Sequence, residues 1–207
     1  MPIEHLALHG TAVALEAMAV SHAPDLLRAA GTVETFRYFR RPPEPFDVSG
    51  MERYCAALID SPTTLPYVVH DVATGQLVGS TTYCSIREPD RGVEIGWTWY
   101  APAARGTAVN PECKRLLLRR AFGTDLFPAG PAIRVELKTD ARNAHSRAAI
   151  LKLGARFEGV LRRHVIMSDG HLRDSAMYSI TADEWPEIDA ELTRRIDAIQ
   201  ASRSPSG

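Results

Sequence analysis

The sequence predicts a mixed α/β fold built on one sheet, and three observations predict it. Stretches such as "VEIGWTWY" (93–100) alternate with the period of a strand. Others, such as "DVSGMERYCAALID" (47–60), place Met51, Tyr54, Cys55 and Leu58 at helical spacing. The two kinds interleave as one strand, two helices, three strands, helix, strand, helix, two strands, helix, the order of a mixed α/β sheet. With 207 residues the chain suits a single domain over 1–207.

Taken in order, "TAVALEAM" (11–18) is the first strand, and Ser21 caps the helix "HAPDLLRAA" that Gly31 ends. The three prolines of "RRPPEPF" (40–46) impose an irregular connection to the second helix, 47–60. "LPYVVHDV" and "QLVGSTTYCSI" form a hairpin across "ATG". "RGVEIGWTWYAP" is the next strand, in which Val93, Ile95, Trp97 and Trp99 alternate with Glu94, Gly96, Thr98 and Tyr100. A polar loop, "AARGTAVN", leads to the helix "PECKRLLLRRAFG", with Asn110 as cap, Pro111 in the first turn and Gly123 at the end. "AIRVELKT" and the helix "NAHSRAAILKLG", closed by Gly154, follow. "RFEGVLRRHVIM" and "LRDSAMYSI" form a last hairpin across "SDG"; a helix over 182–200 and a flexible tail over 201–207 complete the chain. The strand–helix–strand unit from Val93 to Thr139 is expected to be parallel.

Composition narrows the function. A formal charge of -1 gives no general attraction to nucleic acid or an anionic membrane, and neither is expected as a partner. Cys55, Cys84 and Cys113 lie far apart without a CxxC pair, so no metal is expected and the thiols read as those of a cytoplasmic protein. The start "MPIEHLALHG" is not a secretory leader, and no apolar run approaches the roughly 20 residues that span a bilayer.

Two strand-to-helix junctions carry polar loops, "YAPAARGTAVN" and "TDARNAHS". In a parallel unit both fall at the carboxyl ends of neighbouring strands, where open α/β sheets bind ligands. The first offers the free amides of a helix N-terminus, an anion site, with Arg105 to add a charge. The second offers the Asn143 amide and the Ser146 hydroxyl. Together they suggest a phosphorylated ligand lying across two strands.

These two stretches, "VEIGWTWYAPAARGTAVNPECKRLLLRRAF" and "VELKTDARNAHSRAAILKLGARFEGVLRRHV", resemble the GNAT superfamily of N-acetyltransferases, in particular its ribosomal-protein-alanine acetyltransferase branch. The resemblance covers about residues 10–185 and is strongest over 93–163. It implies a mostly antiparallel sheet of about seven strands, splayed between the fourth and fifth by a bulge so that the strands part at Tyr100 and Thr139. It implies acetyl-CoA as co-substrate in that gap and a primary amine as acceptor, either a small molecule or a protein N-terminus. Trp97, Thr98, Arg105, Gly106, Thr107, Ala108, Val109, Asn110, Asn143, Ser146 and Arg147 would then hold the coenzyme. The loop departs from the family pattern at Ala108 and Asn110, where small residues are usual. Ala108 is tolerated if its φ is negative, and Asn110 accepts a positive φ. A monomer or a homodimer is expected.

Acetyl transfer needs a neutral amine, a polarised thioester and a proton for the leaving thiolate. Glu94 is the general-base candidate, acting through a water; the alternative is a solvated strand-face carboxylate. By the resemblance, the Ser146 hydroxyl meets the coenzyme sulfur; the alternative is a helix residue bonded to its own backbone. Trp97, Trp99, Tyr83 and Tyr100 also read as core or acceptor-pocket walls. His145 is expected to point outward. A non-catalytic acyl-CoA-binding module is the competing function.

Overall fold

The computed structural model describes residues 3–123 and 126–202; the end of the expected tail, 203–207, lies outside them. Its sheet has eight strands in the order β1-β2-β3-β4-β5-β6-β8-β7. The strands are β1 (Leu8–His9), β2 (Val13–Ala17), β3 (Leu65–Asp71), β4 (Leu77–Arg87), β5 (Gly92–Tyr100), β6 (Arg134–Asp140), β7 (Arg156–Ile166) and β8 (Leu172–Thr181). The helices are α1 (Ala23–Ala30), α2 (Val48–Ile59), α3 (Val109–Phe122), α4 (Ala144–Lys152) and α5 (Trp185–Ala201). The strand beyond the expected seven is the two-residue β1, too short to show a period. Only β5 and β6 pair in parallel among the described strands.

Each face of the sheet has its own core. Tyr67 and Val69 of β3, Val93 and Ile95 of β5, Leu137 of β6 and Tyr178 of β8 pack with Cys113, Leu117 and Leu118 of α3 and Leu192 of α5. Val68, between Tyr67 and Val69, faces the other way onto Leu26 of α1 and Met51, Cys55 and Leu58 of α2. Each fully buried leucine contributes roughly 1.5–3 kcal/mol. The predicted helical stripe at Met51, Tyr54, Cys55 and Leu58 is buried. The Pro-rich connection is irregular and presses on α2: a Cβ on Gly50 would lie 1.8 Å from the Pro45 carbonyl oxygen, so only glycine fits there.

The cap of α1 differs from expectation. A 3₁₀ turn, Val20–His22, precedes α1, so His22 rather than Ser21 occupies the cap position, and its Nδ1 accepts from the Ala19 amide at 3.1 Å. Asp47 caps α2, its Oδ1 accepting from Gly50 N at 2.9 Å. Gly31 ends α1 with φ 71°, and Gly154 follows α4 with φ 99°. The last hairpin turns at Gly170 (φ 81°), as "SDG" predicts.

Candidate active site

Strands β5 and β6 pair at three positions, Gly92 with Arg134, Val93 with Val135 and Glu94 with Glu136. Beyond them Ile95–Tyr100 and Leu137–Asp140 make no ladder with each other. The sheet therefore splits into a V, and it splits well before Tyr100 and Thr139, the parting point expected from sequence. The cause is visible in β5. Ser80 of β4 faces Trp99, while Thr82, two residues on, faces Gly96, so β5 carries one extra residue there. Trp97 has φ 50° at this bulge, a conformation uncommon for a side chain of its size.

The bulge also breaks the alternation read from the sequence. Val93 and Ile95 face α3 and α5, but Trp97 and Trp99 belong to the α1–α2 side, where Trp97 meets Phe39 edge-on at 5.9 Å. Tyr100 lies on the α3 side. One inserted residue exchanges the faces of everything after it.

Glu94 is the last rung before the split and is 6% exposed. Its Oε2 accepts from Lys138 Nζ at 3.0 Å, across the base of the V, and from Ser85 Oγ at 3.3 Å. Gly96 lies beside it: an added Cβ would sit 3.0 Å from Glu94 Oε1. Glu94 is thus a buried, ion-paired carboxylate and not a solvated one.

At the first junction, the 3₁₀ turn Pro102–Ala104 and residues 105–108 lead into α3. Ala108, with φ -68°, occupies the cap position; Asn110 lies inside the helix and needs no positive φ. Gly106 supplies the positive φ instead, at 72°, and a Cβ there would meet nothing within 4 Å. The Val109 amide donates to Thr107 Oγ1 at 3.2 Å. Among the described residues, the amides of Gly106, Thr107 and Ala108 donate to no protein acceptor. Arg105 is exposed and its Nε donates to the Tyr100 carbonyl at 3.1 Å, which aims the guanidinium back over the strand end. An open row of amides beside an arginine suits a phosphate.

At the second junction Asn143 caps α4, its Oδ1 accepting from Ser146 N at 3.0 Å. The Ser146 hydroxyl is half-buried and bonds to no protein group among the described residues, contrary to a purely structural role.

The Acetyltransferase (GNAT) domain matches residues 13–156, most of the chain. The chain belongs to the GNAT family of acetyltransferases. A GCN5-related N-acetyltransferase from Brucella melitensis is 24% identical with a TM-score of 0.82, covering 99% of this chain and 88% of that one. A probable acetyltransferase of the GNAT family from Chromobacterium violaceum is 29% identical with a TM-score of 0.80, covering 88% and 89%. Mycobacterium smegmatis RimJ, in complex with CoA-disulfide, is 24% identical with a TM-score of 0.71, covering 88% of each chain. No curated protein matches the chain.

Other expected cofactor residues of this acetyltransferase are engaged internally. Thr98 Oγ1 accepts from Lys114 Nζ at 2.6 Å and lies 2.8 Å from Thr81 Oγ1. Arg147 Nε donates to Tyr178 OH at 3.0 Å, and its guanidinium lies 5.8 Å over the Phe157 ring. Val109 is core, as are Tyr83, Trp99 and Tyr100; His145 is exposed. The three cysteines are free and buried, and burial raises the pKa of each. Among the described residues no cluster suited to a metal occurs and no helix is long and apolar enough to cross a membrane.

Two of the three buried charges on α3 are Glu112 and Lys114, and they escape a reading of the sequence because the helix is charged on several sides. Glu112 accepts from Thr11 N at 3.0 Å, Thr11 Oγ1 at 2.8 Å, Ala12 N at 2.5 Å and Val13 N at 2.8 Å, which ties α3 to the start of β2. Lys114, 6% exposed, sits under the β5 bulge, and burial pulls its pKa down to about 8. The spacing that marks a metal or nucleotide motif is missing from both, so no sequence signal would have found them.

Proposed function

We propose that the protein transfers an acetyl group from acetyl-CoA to a primary amine, a small molecule or a protein N-terminus, by direct attack in a ternary complex. The observation that carries this reading is the split between β5 and β6 with a buried carboxylate at its apex. The open amides of Gly106, Thr107 and Ala108, with Arg105, fit the pyrophosphate of the coenzyme. The unpaired edges of β5 and β6 fit its pantetheine amides. When bound, acetyl-CoA supplies the thioester that the amine attacks. Glu94 takes the proton from the amine through a water, the Ser146 hydroxyl gives one to the departing thiolate, and solvent returns a proton to Ser146 and takes the one from Glu94.

The Lys138–Glu94 ion pair favours a second reading, a non-catalytic acyl-CoA-binding module in which Glu94 is structural. Acetyl-CoA with a panel of amines, followed by thiol release, separates the two. Turnover is expected, with kcat falling about 100-fold in Glu94→Gln while CoA affinity is kept, the scale of a lost general base. Binding of CoA without turnover on any amine would leave the second reading.

A further inference from the structure

On the far side of the split from α3, the sheet is charged where the α1–α2 core ends. The register places Glu136, Lys138 and Asp140 of β6 opposite Ser179, Met177 and Ser175 of β8, with Arg173 next along the same face. Arg173 is 8% exposed. Among the described residues its Nε has no hydrogen-bond partner, and its one hydrogen bond runs from Nη1 to the Tyr38 carbonyl at 3.5 Å. A guanidinium presents five donors and cannot shed its charge, so burial in which Asp140 and Glu94 act on it only at a distance, with no direct ion pair, is costly. The Ser175 hydroxyl, 0% exposed and on the same face, also lacks a hydrogen-bond partner among the described residues.

The nearby carboxylates are already committed. Asp140 accepts from Arg142 Nε at 3.0 Å and from Nη2 at 2.7 Å, and Glu94 is held by Lys138 at 3.0 Å. With these pairs formed, Arg173 is a buried cation that has no ion-pair partner among the described residues. Tyr38, whose carbonyl meets Arg173, also lines a neighbouring concavity of about 300 Å³ with Arg37, Arg142 and Asp169. The phosphate-binding amides lie at the start of α3, whose buried residues pack on the opposite face, so Arg173 does not serve them.

We propose that the amine acceptor carries an anionic group, a carboxylate or a phosphate, and that Arg173 receives it with the Ser175 hydroxyl while the amine lies toward Glu94. This rests on the acetyl-transfer reading for the amine and on Arg173 itself for the anion. Arg173 is a specificity residue: it fixes which amines are held, and the charge-assisted bond it makes is bidentate with either oxyanion.

Matched pairs test it. Alanine against alaninamide probes a carboxylate, and O-phosphoethanolamine against ethanolamine a phosphate, each titrated calorimetrically into the CoA-loaded protein. The anionic member of at least one pair is expected to bind ten-fold or more tightly than its neutral partner. Arg173→Gln is expected to abolish that difference and Arg173→Lys to restore part of it, with CoA affinity and melting temperature as the check on folding. If both members of each pair bind alike, if none binds, or if the preference survives in Arg173→Gln, the proposal is overturned. Should Arg173→Gln not fold, the wild-type comparison decides alone. Turnover is read separately: anionic preference without transfer would sink acetyl transfer and keep this inference, and transfer without preference would do the reverse.

Discussion

The two strand-to-helix junctions look alike in the sequence and do opposite things. At the β5–α3 junction the helix starts at a cap without a side-chain bond, and the amides before it are left open. At the β6–α4 junction Asn143 occupies the Ser146 amide and the Asp140–Arg142 pair closes the turn, so the open group is a hydroxyl. On the proposed reading, the first junction serves an anion through its backbone and the second a proton through one side chain. Two charged residues of α3 are turned inward: Glu112 secures β2 and Lys114 supports the bulge.

Breaking this contrast starts with Glu112. Glu112→Ala leaves buried amide donors unsatisfied and is expected to cost about 3 kcal/mol in chemical denaturation, because it unties the start of β2 from α3. At the other junction Ser146→Ala is expected to lower kcat about 100-fold, on the scale of a lost proton donor, with melting unchanged because the hydroxyl bonds no protein group among the described residues. A stability loss instead would make Ser146 structural.

Lys114→Met sharpens the comparison through pH. Burial lowers the Lys114 pKa from 10.5 to about 8, so the unfolded chain holds more protons between those values. Stability contributed by this site rises with pH through that window, and the cost of the buried charge is fully present below about 8. Lys114→Met is therefore expected to be more stable than the parent at pH 7, by about 2 kcal/mol after its lost hydrogen bonds, with the gap closing toward about pH 10. A gap independent of pH would refute the buried charge. The smallest effect belongs to Asn143→Ala, about 1 kcal/mol for a lost cap, with weaker CoA binding as its second readout.

Much of this is legible in the residues. The turn chemistry of "SDG", the apolar spacing of α2, and the small and polar residues at both junctions each state a local rule that tertiary structure keeps. The bulge is not legible as a position: alternation in "VEIGWTWY" runs unbroken, and nothing local announces that Trp97 takes φ 50°. The place where the strands part is hidden for the same reason. Arg173 reads as one more charge on a strand, because burial without an ion pair is a property of the packed sheet and not of the neighbours in sequence.

A seam of three rungs leaves every second amide along the inner edges of Ile95–Tyr100 and Leu137–Asp140 facing a gap. In the free chain those hydrogens are expected to swap rapidly with deuterated solvent, while amides paired to β4 and β8 are expected to be protected. Occupation of the gap would slow the unprotected set alone, so the protein reports on its own loading through its backbone, without a label and before any chemistry takes place.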